Sequence, residues 1–385
     1  MSSSAPKTAA ENFSFSSSVA ADVWHPKKDA SAYEWWYFDA LSDDAGEAIV
    51  IIFLDNFVFS PRYNRQGLKN PEIPPAEKLT QRIRSAFFNP KSKILNPQSK
   101  FPAVAFVYYR DGKPFYRAIN EFAEKDFAAS LEKPECKIGD CSFTYETESY
   151  GSGYLISINA KLSRERRLKA DFEWLSVESD YAPEKSSPPE TAHCWNLVAP
   201  RSDVSGKITV FDKSGVSIDA RSFRGTGYHD HNLDNRWLPD TVREWHWGRV
   251  HFADATAVFY RYCETDSDTP TTKLLVVRNG ELHECATEYE ETVFERDKFG
   301  IKYPTQMRFA SKDDSFLIVK HKKVIDSSFF YLRFMSEMTL ILPDGKPRRN
   351  VGITEYLAPK ALKRRYLNFL INMRIGRNGK GSFLP

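Results

Sequence analysis

The sequence predicts an all-β protein made of two antiparallel barrels or sandwiches, followed by a C-terminal helix. Three observations lead there. Short segments rich in Val, Ile, Phe and Tyr recur at regular spacing, separated by Gly, Asn and Asp turn chemistry. Aromatic residues are abundant (28 Phe, 18 Tyr and 8 Trp), which suits β-cores and ring-lined apolar cavities. A chain of 385 residues is also too long for one small core, so two domains are expected.

Residues 1–28, Ser/Ala-rich and without an apolar signal-peptide core, read as a flexible lead-in. The first domain is expected over 29–200. It opens with the aromatic run 32–40, a turn at Ser42-Asp43-Asp44-Ala45-Gly46 and a strand over 47–59. The proline-dotted stretch 62–97 holds a possible short helix over 76–86. Strands then follow over 103–109, 141–146, 153–160 and 168–175, with a linker-like break at 180–189. The second domain, 201–385, carries strands over 206–211, 216–223, 244–252, 256–262, 273–277, 306–309, 316–320 and 330–342. Arg278-Asn279-Gly280 has type I′ turn chemistry. A basic amphipathic helix is expected over 361–375, with Leu362, Tyr366, Phe369, Leu370 and Met373 on one face. That helix either packs across a barrel or rests on an anionic membrane surface.

Composition removes several function classes. With 54 basic and 51 acidic residues the net charge is +3, and no clustered basic face suggests nucleic acid. Five cysteines, odd in number and never spaced Cys-x-x-Cys, argue against a disulfide framework or a cysteine zinc site. No apolar run approaches a membrane span, so a cytoplasmic protein, at most peripheral to a membrane, is expected. Gly-x-Ser-x-Gly, phosphate-cradling loops and dinucleotide fingerprints are absent.

Chemistry concentrates in Arg224-Gly225-Thr226-Gly227-Tyr228-His229-Asp230-His231-Asn232 and in Glu244-Trp245-His246-Trp247-Gly248-Arg249. Four of the eight histidines lie between 229 and 251. His229 and His231, joined by His246 or His251, could ligate a metal. Asp230 would then point the other way on a strand, and no motif places a second acidic ligand, so no metal is expected. Cys194, beside His193, reads as a buried structural thiol. Acid chemistry in an aromatic pocket remains. Tyr228 and Asp230 share a strand face, as do His193 and Trp195. If those strands pair or oppose, a carboxylic acid, cation-stabilising rings and an imidazole converge. Trp35, Trp36, Tyr37, His229, His231, Trp245 and Trp247 are the candidate substrate contacts. An electron-rich alkene needs no cofactor at such a site. The same cluster fits a barrel mouth whose polar groups satisfy one another.

The run Glu34-Trp35-Trp36-Tyr37-Phe38-Asp39, the pair His193-x-Trp195, the Gly225-x-Gly227-Tyr228-His229-Asp230-His231-Asn232 motif and Trp247-Gly248-Arg249 resemble the carotenoid 1,2-hydratase (hydroxyneurosporene synthase) family over roughly positions 30 to 375. The resemblance implies two lipocalin-like barrels and cofactor-free hydration of a terminal double bond in a hydrophobic isoprenoid polyene. It also implies Asp230 as the acid, surrounded by His193, Trp195 and Tyr228. The chain departs from the family pattern at Leu233-Asp234-Asn235, where Trp-Gly is common in relatives. The wider superfamily resembles fungal Diels–Alderase-type cyclases, so polyene cyclisation, or plain lipid carriage, is the alternative.

Overall fold

Alternation of large apolar and polar residues drives strand after strand to bury one face, and the computed structural model is almost entirely β. It describes residues 12–26, 29–67, 100–182, 192–285, 288–312 and 314–385. Twelve strands come first: β1 (Phe13–Ser16), β2 (Tyr33–Ser42), β3 (Glu47–Leu54), β4 (Ala103–Arg110), β5 (Lys113–Glu121), β6 (Phe127–Ala129), β7 (Glu135–Ile138), β8 (Cys141–Glu148), β9 (Gly151–Lys161), β10 (Arg167–Glu178), β11 (His193–Phe211) and β12 (Ser217–Asp234). With a last short strand, β22 (Gly376–Arg377), they form a 13-stranded sheet in the order β22-β5-β4-β3-β2-β12-β11-β10-β9-β8-β7-β6, and β1 lies parallel to β11. The second sheet has nine strands: β13 (Val242–His251), β14 (Thr256–Glu264), β15 (Thr271–Arg278), β16 (Glu281–Cys285), β17 (Glu288–Arg296), β18 (Lys302–Ala310), β19 (Phe316–Ser328), β20 (Tyr331–Ile341) and β21 (Pro347–Leu357). Its order is β16-β15-β14-β13-β21-β20-β19-β18-β17. Both sheets curl, giving the double lipocalin-like architecture.

Three apolar cores result. One fills the first sheet's own curl around Trp36, Phe38, Phe143 and Trp174. A second fills the second curl around Phe259, Phe309 and Met338. The third lies between the sheets and contains Trp35, Tyr37, Trp195, Tyr228, Trp247 and Tyr260. Polar bridges also cross between the sheets. Arg249 of β13, 1% exposed, is ion-paired with fully buried Asp39 of β2. Further along, Arg117 of β5 meets Asp326 of β19 at 2.7 Å, and Arg333 of β20 donates to the Tyr109 hydroxyl of β4 at 2.7 Å.

Several expectations change. Within the lead-in, β1 pairs with β11, and Asp22 is fully buried. The division expected at 200/201 falls inside β11; the chain passes from the first sheet to the second between Asp234 and Val242. Pro200 did interrupt the strand pattern, but it is accommodated by register shifts between Asn196 and Ser202 rather than by a strand end. The C-terminal helix is not continuous. It breaks into 3-10 turns at Pro359–Lys363 and Arg365–Leu367 and one short helix, Asn368–Asn372. Consecutive Lys363, Arg364 and Arg365 repel one another, and Asn368 is a weak helix former; Arg364 leaves the helical region at φ −79°, ψ 87°. The expected apolar face is split as well: Leu362 is buried, whereas Tyr366 and Phe369 are 70% and 56% exposed. The type I′ expectation at 278–280 fits, with Asn279 and Gly280 both at positive φ. The short helix expected over 76–86 and most of the break at 180–189 lie outside the described residues.

Candidate active site

The centre of the first sheet is where β12 runs between β2 and β11. Asp230 sits directly opposite Tyr37, and Trp195 opposite Asn232. Close approach here depends on Gly225 and Gly227. A Cβ at Gly225 would lie 2.2 Å from the Leu41 carbonyl oxygen, and one at Gly227 would strike Val204 and Trp174. Alternation then decides everything that follows. Tyr228, Asp230 and Asn232 face the space between the sheets, while His229 and His231 face the first sheet's own core.

A cavity of about 1240 Å³, counting its open mouth, occupies the space between the sheets. Asp230, Asn232, Trp35, Tyr37, Trp245 and Trp247 line one end, Arg117 and Arg374 the other, and Ile52, Leu54, Val107 and Leu357 lie among its walls. From β12 to β5 is four inter-strand steps, about 19 Å. The cavity therefore spans several strands and is mostly apolar, a lining that suits a hydrocarbon chain.

At the Asp230 end, polar contacts are specific. Tyr228 Oη–H and Trp195 Nε1–H both donate to Asp230 Oδ2, at 2.7 and 3.0 Å. Asn232 Nδ2–H donates to Oδ1 at 2.9 Å, and Trp247 Nε1–H donates to the Tyr228 oxygen at 3.1 Å. Burial raises the Asp230 carboxyl most. The Tyr228 and Trp195 donors oppose that rise, and Glu355 and Asp39 add to it, for a result of about 7. Oδ2 is occupied by two donors and Oδ1 by one, so Oδ1 has room for an acidic proton. Rings surround it: Trp35 stacks on Trp245 at 5.6 Å, Trp195 on Tyr260 at 4.5 Å, and Tyr37 and Tyr228 pack edgewise or tilted against Trp247.

The candidate residues thus separate into three groups. Asp230, Trp35, Tyr37, Trp245 and Trp247 line the cavity. Tyr228, Trp195 and His193 are buried behind them. His193 does not touch Asp230. Its Nε2 lies 2.6 Å from the Tyr260 hydroxyl, which reaches Asn232 Oδ1 at 3.4 Å. Burial and the nearby Arg236 charge push this imidazole down to about 3, so it is neutral.

Trp36, His229 and His231 form the third group, on the opposite face of the sheet, and are not brought to the cavity. Trp36 stacks on His231 and Phe38 on His229. Asp22 accepts from His229 Nε2 at 3.0 Å and from Tyr154 at 2.6 Å, and lies 3.1 Å from His231 Nδ1. Glu34 takes His231 Nε2 at 2.8 Å and His25 Nδ1 at 2.9 Å. Burial opposes charge on His231, yet the two carboxylates hold it up to about 9, an imidazolium between two anions. His25, Glu34 and His231 are ligand types within 4.8 Å of one another, but their facing atoms are already committed to each other. His246 packs on Tyr356 and His251 bonds the Pro200 carbonyl, so neither joins His229 and His231.

Residues passed over in the sequence complete the site: Asn232, Arg333 and Glu355 line the cavity, and Tyr260 contacts Asn232 from behind. Asn232 was readable from its i+2 relation to Asp230. Glu355 was not, because the charged start of β21 hides that strand.

Comparison with known proteins shows the family. The family model for "Carotenoid hydratase CrtC" matches residues 175–383, which include His193, Asp230 and Glu355. A "Hydroxyneurosporene dehydrogenase" of Chlorobaculum tepidum is 26% identical over 94% of this chain and 91% of its own. An "Acyclic carotenoid 1,2-hydratase" of Thiocapsa roseopersicina is 24% identical over 66% of this chain and 53% of its own. Among solved structures, a putative AttH of Nitrosomonas europaea (14% identity, TM-score 0.51, 85% of this chain and 92% of that one) shares the fold. So does CghA in complex with Sch210972 (11%, TM-score 0.51, 86% and 89%). With the family model matching more than half of its length, the chain belongs to the carotenoid hydratase family.

Proposed function

We propose that this protein adds water to a terminal C=C bond of an acyclic carotenoid or related isoprenoid polyene, with Asp230 as the proton donor. The observation that carries this reading is a buried carboxyl, raised to about 7, at the end of an apolar slot and ringed by aromatic faces. The polyene lies along the slot with its terminus at Asp230. Oδ1–H protonates the less substituted alkene carbon, and a tertiary cation forms next to it. The rings of Trp245 and Trp247 stabilise that positive charge, worth about 2 kcal/mol or more per ring when desolvated. Water then captures the cation as an alcohol. Tyr228 and Trp195, held on Oδ2, stabilise the carboxylate left behind. His193 and Tyr260 hold Asn232, and through it the orientation of Asp230.

The test is product labelling. An acyclic carotenoid with a terminal isopropylidene group, incubated in heavy-oxygen and deuterated water, gains labelled oxygen at a tertiary alcohol and deuterium at the neighbouring carbon. A product that is an isomer without solvent label points to a cyclase. One that has lost two hydrogens points to the activity in the Chlorobaculum relative's name. Unchanged polyene points to a carrier.

A further inference from the structure

A second carboxylate faces the same cavity. Glu355 of β21 lies directly across from Trp247 of β13, and Tyr37, the residue opposite Asp230, donates its hydroxyl to Glu355 Oε1 at 2.9 Å. Arg333, on the neighbouring strand and directly opposite Glu355, donates to the same Oε1 from Nε at 2.8 Å and from Nη2 at 2.6 Å. That guanidinium is itself fixed. It is 3% exposed, donates to Tyr109, and packs against the rings of Tyr37, Tyr109 and Tyr331. Three donors therefore converge on Oε1, and nothing among the described residues donates to Oε2. A charge-assisted fork of this kind fixes the carboxylate in place, and its remaining oxygen is an unused acceptor at the cavity wall.

Two carboxyl groups in one water-poor cavity, one with only neutral donors and the other fixed to a guanidinium, form the arrangement in which one serves as acid and the other as base. We propose that Glu355 is the catalytic base that binds the attacking water through Oε2 and takes its proton. This rests on the hydration reading of the Asp230 site. The step balances. Asp230 delivers a proton to the alkene, and the water oxygen forms the C–O bond with its lone pair. One O–H bond of that water breaks to Glu355, and solvent exchange returns Asp230 to the acid and Glu355 to the carboxylate. The net change is alkene plus water to alcohol.

The experiment uses the full chain and an acyclic carotenoid in deuterated water, following both alcohol formed and deuterium in the recovered or isomerised polyene. In Glu355→Gln, alcohol formation falls by roughly 10²–10³-fold, while deuterium still enters the polyene because Asp230 continues to protonate it. Glutamine leaves Arg333 without its counter-charge, so Glu355→Asp is the second variant; it keeps the charge and recovers at least tenfold of the lost alcohol. Alcohol at the wild-type rate in Glu355→Gln, or loss of alcohol and deuterium together in a folded variant, overturns the role of Glu355 while wild-type hydration keeps that of Asp230 intact. A folded Glu355→Asp without recovery overturns it as well. A wild type that forms no alcohol overturns both.

Discussion

Strand β12 carries two buried polar clusters, one on each face, and they are built on opposite principles. Toward the first sheet's core, a cation sits among the carboxylates: Asp22 and Glu34 hold His231 as an imidazolium, and His229 and Tyr154 also contact Asp22. Toward the cavity, Asp230 receives only neutral donors, and no cation offsets it. Burial therefore acts in opposite senses. A cluster with an imidazolium between its carboxylates keeps its charges and anchors the N-terminal segment to the sheet. An unbalanced carboxyl keeps its proton and can give it away. Both clusters hold buried carboxyl groups; whether a cation sits against the carboxyl decides which is reactive.

Breaking each cluster should separate rate from stability. Asp230→Asn keeps shape and removes the proton, so turnover falls by roughly 10²–10⁴-fold with the melting temperature at pH 7 held or raised; steady-state rates and thermal melts read both. Asp22→Asn should do the reverse. It removes one of the two carboxylates on His231 and disturbs the contacts of His229 and Tyr154, costing about 1–3 kcal/mol of stability, while turnover per folded molecule stays within a few-fold. An Asp22 variant that is stable but inactive would erase the distinction.

The pH dependence sharpens the same contrast. Asp230 must be protonated, so kcat/KM should fall about tenfold per pH unit above about 7. Its raised folded pKa also favours folding at low pH: that contribution is whole below about 4 and is lost as pH rises through about 7. His231 contributes stability that is whole below about 6.5 and is lost as pH rises through about 9. Melts across pH should show both losses, the first vanishing in Asp230→Asn and the second in His231→Gln.

The smallest effect concerns neither cluster. Tyr366 and Phe369 protrude beside Lys363, Arg364 and Arg365, and Ile371 and Arg374 of the same segment line the cavity. No helix among the described residues is long and apolar enough to cross a membrane. We propose that this segment rests on anionic lipid, each basic residue contributing on the order of 1 kcal/mol. Anionic liposomes should float the protein at low salt and release it at high salt, and replacing Lys363, Arg364 and Arg365 with Ala should abolish flotation but not turnover on detergent-dispersed substrate. Equal flotation on neutral liposomes would count against it.

Much of this was readable beforehand. Strand alternation put Tyr228 and Asp230 on one face, and the turn chemistry at Asn279-Gly280 was sound. The same alternation could have removed Trp36, His229 and His231 from the pocket, since they alternate with residues assigned to it. What could not be read was long-range pairing. Whether His193 reaches Asp230 directly or through Tyr260 and Asn232 depends on the second sheet. Glu355 escaped because β21 begins Pro-Arg-Arg-Asn, a poor strand signal overridden by pairing with β20 and β13. The C-terminal helix forms only as the short Asn368–Asn372, because the backbone leaves the helical region at Arg364, which apolar periodicity does not reveal.

The Asp39–Arg249 ion pair has a consequence for traffic. Parting the sheets there would strand two opposite charges in an apolar seam, at a cost of several kcal/mol. The Arg117–Asp326 and Arg333–Tyr109 bridges hold the other end of the seam. A slot riveted in this way does not open like a book. Any traffic through the slot has to leave these bridges closed, so the seam is a fixed wall of the site rather than a door.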